Sequence, residues 1–454
     1  MIPLLLILAC AGDDSTPTDG PETADTGTPG DGSLSDPLSM PAEPTLETDA
    51  FNSAEACQSC HPDQYSEWRT SMHAYAMVDP LFQRLVELRQ ADLAGREDRF
   101  CVQCHSAIGV RGGEVSPGFS FDALSPVVME GITCESCHKV SGVERDYNSG
   151  HVLDPDGPMR STTANGSTFH ESEADGVFAG SEFCGACHDV IEVSGLDLER
   201  PYREWRESPS AEEGVTCQDC HMPTVVRAPA DNVAPREVRQ HRFVGVDVPL
   251  IDGWITPEEE QDLRANIQQL LSTSAALRLD APPEVPHGQT VDVVVTVENK
   301  IPAHNLPTGS TFLRQVWVEL VATDGAGNVL FVTGDLDDNG DLRDYWSDLD
   351  PYGDHDLISL SSNFVDPVGS PTLFSWVASE HTSGAISPLY ERSWTLFVPT
   401  ELATNPTVTI EARLRFRALP PYLLRMVGMT NEIAKLEIYD LASESLTVGL
   451  LPPQ

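Results

Sequence analysis

The sequence predicts an α + β chain in two domains: a mostly α-helical and irregular domain over residues 51–250, then an antiparallel β-sandwich-like domain over residues 275–454. Three observations predict it. A cysteine–histidine pentapeptide recurs five times between Cys57 and His221, amid short loops and little β pattern. From about Ala275 the composition turns to β-branched runs separated by turn residues. Between them, residues 251–274 hold a helix with its own start signal, Thr256-Pro257 followed by Glu259. A length of 454 residues fits two or three domains.

The first ten residues are an apolar stretch ending in Ile7-Leu8-Ala9-Cys10, which resembles the lipobox of bacterial lipoproteins. That resemblance implies a lipidated Cys10 and anchorage to a membrane. An ordinary signal peptide with an incidental Cys10 is the alternative, and both imply export. Residues 11–50 are rich in Asp, Thr, Pro, Gly and Ser and contain no basic residue. Such a segment buries too little surface to offset its ordering entropy, so it reads as a disordered acidic linker.

Within residues 51–250 the repeats are Cys57-Gln-Ser-Cys60-His61, Cys101-Val-Gln-Cys104-His105, Cys134-Glu-Ser-Cys137-His138, Cys184-Gly-Ala-Cys187-His188 and Cys217-Gln-Asp-Cys220-His221. This is the attachment pattern for c-type haem. Thiols at i and i+3 form thioethers to one porphyrin, and the histidine at i+4 supplies one axial ligand. Zinc sites and disulfides also use paired cysteines. Five copies that consume ten of the eleven cysteines point instead to five haems. The haems would replace much of the usual aliphatic core.

A helix is expected from about Pro80 to Ala94, with Asp79 as N-cap and Leu81, Phe82, Leu85, Leu88 and Leu93 on its apolar face. An internal echo links the second and third motifs with the fourth and fifth, whose first cysteines lie 33 residues apart in each pair. A second echo links Tyr65-Ser-Glu67-Trp68 with Tyr202-Arg-Glu204-Trp205 in a register the first does not match.

In the second domain, residues 291–297, 316–321 and 329–332 read as strands, with a turn at 324–328. Residues 373–377, 394–398 and 408–416 are later strands. A short helix is expected near 423–427 and an edge strand near 435–438. This spacing suggests a sandwich.

An electron-transfer haem usually takes two protein ligands. The candidates for the second are His73, His170 and His241, then His151 and His304. His287, His355 and His381 read as surface histidines. Asp335, Asp337 and Asn339 resemble the start of a calcium loop, but Trp346 stands where its last glutamate belongs, and a plain acidic turn is the competing reading.

The net charge is −44, with three lysines against 24 arginines. That excludes a nucleic-acid partner, which needs a basic footprint. It fits solubility or the steering of a basic redox partner. No run of 18 apolar residues exists to cross a membrane.

The stretch from Cys57 to Gly245 resembles the multihaem cytochromes c of the cytochrome c-554 type. The resemblance rests on the first motif followed by Glu67-Trp68-Arg69-Thr-Ser71-Met-His73, on Phe183-Cys184 to His188, and on Val215-Thr-Cys217 to His221-Met222-Pro223. It implies electron transfer, with His73 as a haem ligand and, by the same pattern, His170 and His241. The segment His304-Asn-Leu-Pro-Thr-Gly309 resembles a module appended to similar chains. All five motifs end in His, so the lysine-ligated centre of pentahaem nitrite reductases is absent. The leading expectation is an exported bacterial electron carrier, in the periplasm or held on the outer membrane or cell surface. The alternative is an oxidoreductase of a small nitrogen or sulfur oxyanion, with one haem open to substrate. Four good second ligands would favour the enzyme and five the carrier.

Overall fold

The computed structural model describes residues 43–163 and 167–452. Cys10 and residues 11–42 lie outside the described residues. The described residues belong to one compact unit. The last stretch of the expected linker is docked: Thr45 and Leu46 donate to the Arg111 carbonyl, and Thr48–Ala50 form a 3-10 turn. Leu46 accounts for this, because it packs beside Phe51, Ile108 and Leu153.

The haem-motif part is built from short helices. The longest, Pro80–Leu93, starts where Asp79 accepts a hydrogen bond from Leu81 N–H and stops at Ala94, whose φ of 51° ends the helix. It buries Leu81, as expected, and also Val86 and Arg89. Arg89 turns inward because two carboxylates, Glu192 and Glu97, wait for it. The low β content expected here is corrected by four two-stranded ladders, among them Thr224–Arg227 with Arg236–Arg239. Ladders of two to four residues are too short to leave an alternation to read. The apolar clusters of this part are small and separate.

The β part is built on two sheets around one apolar core, with a small third sheet of Pro371–Thr372, Asn363–Val365 and Glu380–Thr382. One sheet orders Glu284–Pro286, Ile438–Leu451, Thr407–Arg417, Gln315–Asp324 and Val329–Thr333, with Ile358–Ser359 also pairing to Gln315–Asp324. The other orders Glu391–Val398, Val291–Asn299 and Ala275–Asp280. Only the short Glu284–Pro286 pairing is parallel in these two sheets. Period-two burial builds the core: Val291, Val293, Val295 and Val297 face Val316, Val318, Leu320 and Ala322 within one cluster. The Pro257–Ser272 helix, begun by the Thr256–Glu259 capping box, adds Ile267 and Leu271 to it.

Two expected strands differ. Residues 373–377 form a turn, because Ser375 and Trp376 reach back to Glu192 and Asp92 of the haem-motif part. The edge strand near 435–438 is a 3-10 helix, Thr430–Lys435, followed by Ile438–Leu451, which lies inside its sheet. The change of secondary structure near residue 275 is therefore not a gap in packing. Leu81 and Leu250 share a cluster with Leu419, Leu423 and Val427 near the C-terminus.

Candidate haem-binding centres

Each motif folds as a single helical turn, which throws two sulfurs and an imidazole to one side. His61 N–H donates to the Cys57 carbonyl and His188 N–H to that of Cys184, both at 2.9 Å. Cys134–His138 and Cys217–His221 are helices begun by capping boxes of Thr133 with Ser136 and Thr216 with Asp219. All ten motif cysteines, Cys60, Cys101, Cys104, Cys137, Cys187 and Cys220 included, are free thiols. Among the described residues no three or more His, Cys, Asp or Glu converge as ligands of one metal ion. The zinc alternative therefore finds no ligand set among the described residues.

Four motif histidines have a second histidine opposite. Ring centroids are 6.4 Å apart for His61 and His170, 6.2 Å for His188 and His73, 6.1 Å for His138 and His241, and 6.5 Å for His221 and His304. An imidazole nitrogen binds a transition metal at about 2.0 Å, so two rings gripping one metal from opposite sides stand roughly 6 Å apart. The pairs fit a haem iron between them.

The nitrogens are assigned accordingly. Nδ1 of His61, His105, His138 and His221 faces the carbonyls of Pro229, Ala76, Arg160 and Val244, and Nδ1 of His170, His241 and His304 faces a nearby backbone carbonyl. This leaves Nε2 as the ligand atom and fixes the ring orientation. Burial pushes His73 down to about 3 and His241 to about 4, and it also lowers His105, His138, His188, His221 and His304. The neutral imidazole is the ligating form.

His151 is the exception among the candidates. Its Nε2 lies 2.7 Å from the Phe183 carbonyl, and no motif histidine faces it. It packs beside Cys187 as a structural side chain. His105 in turn has no histidine opposite; its ring is stacked on Phe82, with centroids 3.8 Å apart. His381 is not a surface residue: Nδ1 meets the Asp197 carbonyl at 2.9 Å, and the ring packs on Phe364.

The structure also resolves the repeat. Trp68 Nε1 donates to the Ile132 carbonyl at 2.7 Å, and Trp205 Nε1 donates to that of Val215 at 2.8 Å. Ile132 N–H donates to His73 O and Val215 N–H to Ser210 O. The first and third motifs therefore correspond to the fourth and fifth. The sequence separation between tryptophan and acceptor is 64 residues in one unit and 10 in the other, because the first unit contains an insertion that carries the second motif. The thiols of Cys57 and Cys134 lie side by side, and so do those of Cys184 and Cys217, which repeats the correspondence. Cys104 and Cys187 make a further such contact. The equal 33-residue spacing pairs the fourth motif with the second, whereas these contacts pair it with the first; both pair the third with the fifth.

Other groups lie outside the sequence expectations. Arg89 meets Cys101 as well as Glu192, beside the second motif. Glu67 holds Arg227 with both oxygens and accepts from His241 N–H, while Glu204 accepts from Asn305 N–H and the Thr308 hydroxyl. Burial opposes the Glu67 charge, but Arg227 and the His241 N–H outweigh it and hold the carboxyl below its ordinary value. Burial pushes Glu204, which has no such cation, upward. The echoed Glu-Trp dipeptides were the available signal for both.

At the calcium-loop resemblance the structure shows the acidic turn that was the competing reading. Asp335 pairs with Arg343, and Asp337 accepts from Ser347 and from the Asn339 and Asp341 N–H groups. Asp341 pairs with Arg425. Arginines, not a vacant oxygen cage, neutralise this acidic turn. Arginines near the motifs are also engaged: Arg203 with Asp189 and Asp197, Arg206 with Asp146, and Arg69 over Trp254.

Five thiol-pair turns, each ending in an imidazole and four of them with a second imidazole opposite, resemble the haem centres of multihaem cytochromes c. Residues 56–139 match the family model described as cytochrome c554 and c-prime. Cytochrome c-554 of Nitrosomonas europaea is 29% identical over 159 residues, which is 32% of this chain and 60% of that protein; the chain thus spans less than two thirds of this relative. A penta-heme cytochrome c552 from Thermochromatium tepidum matches 88% of this chain and 99% of its own, with a TM-score of 0.62 at 18% identity. At that identity the likeness is one of fold, and it spans both the haem-motif part and most of the β part.

Proposed function

We propose that this protein carries electrons through five covalently attached c-type haems, four of them held between two histidines. The observation that carries this is the common 6.1–6.5 Å spacing of the four imidazole pairs. When bound, haem supplies one-electron exchange at its iron. The chain contributes ten thiols for attachment, the His61–His170, His188–His73, His138–His241 and His221–His304 pairs, and carbonyls that orient the rings. Ligation by two histidines without methionine favours low potentials. The three cysteine contacts link the first motif to the third, the second to the fourth and the fourth to the fifth. Neighbouring centres within each of these links would be close enough for electron hopping. The net charge of −44 suits a basic redox partner. Export, lipid anchorage through Cys10 and a periplasmic or outer-membrane location belong to the same proposal.

A second reading is favoured by His105, which lacks a histidine opposite, so that four second ligands rather than five are in place, the count that favours an enzyme. A haem there would keep one face for a small oxyanion or nitrogen compound, and the protein would then act as an oxidoreductase.

Low-temperature electron paramagnetic resonance of the oxidised protein, with and without nitrite or hydroxylamine, tests both. Four low-spin signals and one high-spin signal are expected. A high-spin signal that shifts on adding either compound supports the second reading; one that stays fixed leaves the carrier. Fewer than four low-spin signals would overturn the ligation scheme.

A further inference from the structure

We infer that Glu67 and Glu204 are counterpart positioning residues, each clamping the backbone segment that delivers the second histidine to one haem. Glu67 serves His241, opposite His138, and Glu204 serves His304, opposite His221. The inference rests on the four-pair ligation proposed above.

The equivalence is carried by contacts that recur in both units. Tyr65 and Trp68 are in ring contact at 5.6 Å, and Tyr202 and Trp205 at 5.7 Å. Ser71 N–H donates to Trp68 O and Ser208 N–H to Trp205 O, each at 2.9 Å. Both tryptophans donate to the carbonyl two residues before the first cysteine of a motif. Glu67 and Glu204 occupy the same position on these short helices, one residue before the tryptophan. Each points its carboxylate at a segment distant in sequence. Glu67 Oε2 accepts from His241 N–H at 2.8 Å, 174 residues away. Glu204 Oε2 accepts from Asn305 N–H at 3.1 Å and the Thr308 hydroxyl at 2.5 Å, about 100 residues away.

The incoming segments are unrelated. His241 follows the Arg236–Arg239 strand, whereas His304 sits in a loop of the β part. The repeated element is therefore the carboxylate, and a different piece of chain has been fitted to it in each unit. A carboxylate accepting backbone N–H is a strong anchor. Here it holds the residue bearing the ligand, or its immediate neighbour, so the imidazole meets the metal without searching. Ser210 stands where His73 stands in the first unit. Ser210 N–H donates to the Pro302 carbonyl, which seats the same loop that Glu204 anchors.

The test uses full-length haem-loaded protein carrying Glu204→Ala, Glu204→Asp, Glu204→Gln or Glu67→Ala. Asp keeps the charge but withdraws the oxygens by one methylene; Gln keeps an acceptor at the same reach. Carbon monoxide binding to the reduced protein and the low-spin count of the oxidised protein are read together. Loss of an outer partner commonly weakens a metal–ligand site by about 10–100-fold. Carbon monoxide should therefore compete at one additional haem in Glu204→Ala and Glu204→Asp, about 10-fold or more above wild type. Glu204→Gln should stay near wild type. Glu67→Ala should open a different haem, one whose signal is unchanged in the Glu204 variants. Wild-type binding in both Glu204→Ala and Glu204→Asp would overturn the clamp. A wild-type protein without paired-histidine signals would instead overturn the ligation scheme. If Ala fails to fold, the Asp and Gln pair decides alone.

Discussion

Phe82 lies flat on the His105 imidazole, with ring centroids 3.8 Å apart and planes 4° from parallel. Together with the Nδ1 contact to the Ala76 carbonyl at 3.1 Å, this stack fixes the one motif histidine that has no imidazole opposite. The helix that carries Phe82 is the Pro80–Leu93 helix, so the orientation of His105 is tied to the best-formed helix of this part. Phe82→Ala should cost about 2 kcal/mol, less than a fully buried aromatic because Phe82 is half-buried. The spectroscopic change should be confined to a single haem, the one bound at His105. Thermal unfolding and the resonance spectrum of the same sample check both parts.

The same helix holds a buried ion pair. Arg89, 2% exposed, meets both oxygens of Glu192, at 3.0 and 2.6 Å. Removing one partner of a buried pair typically costs about 3–5 kcal/mol, because the other charge stays uncompensated. Arg89→Met should lose stability on that scale, and adding Glu192→Leu should recover part of it. The pH dependence should also change sign. In the native protein burial opposes the Glu192 charge, but the Arg89 bonds win and its carboxyl lies below the ordinary value. The pair's stabilisation is therefore present above the unfolded glutamate value, about 4.3, and is lost as pH falls through the lower folded value. In Arg89→Met only the Val193 N–H and the Ser375 hydroxyl still oppose burial, so Glu192 should rise and stability should fall as pH rises toward neutral. Denaturant midpoints across pH 3–8 would separate the two slopes.

Legibility followed locality. The thiol pairs and their histidines could be read because attachment is written within five consecutive residues. His73, His170, His241 and His304 stood out near motifs or at a strand end, but which iron each would meet depends on contacts across the fold. His151 looked as good as His304, since sequence does not reveal which ring nitrogen is already engaged. The Glu67 and Glu204 roles were hidden for the same reason: each acts on a segment more than 100 residues away. Long strands such as Val291–Asn299 and Gln315–Asp324 were legible from alternation, whereas ladders such as Arg236–Arg239 were too short and polar. At 373–377 tertiary contacts to Glu192 and Asp92 overrode a β-like composition.

Asp79 offers a prediction of opposite sign to Glu192. It caps the Pro80–Leu93 helix, yet burial and the nearby Asp247 push it up to about 6 against the cap bond from Leu81. A carboxyl raised on folding contributes stability that is fully present below its unfolded value, about 3.9, and is lost as pH rises through the folded value. Asn caps a helix as well as Asp does and carries no charge. Asp79→Asn should therefore match the native protein near pH 4 and exceed it by on the order of 1–2 kcal/mol above pH 7. Equal denaturation midpoints at pH 8 would show that the Asp79 charge costs nothing.

His304 and His151 make the sharpest contrast, because one is half-buried, the other buried, and both were sequence candidates. In His304 Nδ1 faces the Asn305 carbonyl, which leaves Nε2 for the centre opposite His221. In His151 Nε2 itself is taken, at 2.7 Å from the Phe183 carbonyl. His304→Ala should convert one low-spin signal to a ligand-accessible one, and added imidazole should restore it, since the vacated side chain leaves room for the free base. His151→Ala should leave the count of low-spin signals unchanged while costing about 1–2 kcal/mol for the lost packing and hydrogen bond. Both variants can be read in one resonance experiment with an imidazole titration. A missing low-spin signal in His151→Ala would mean that the ring turns over and ligates in the loaded protein, and the assignment by engaged nitrogen would then fail.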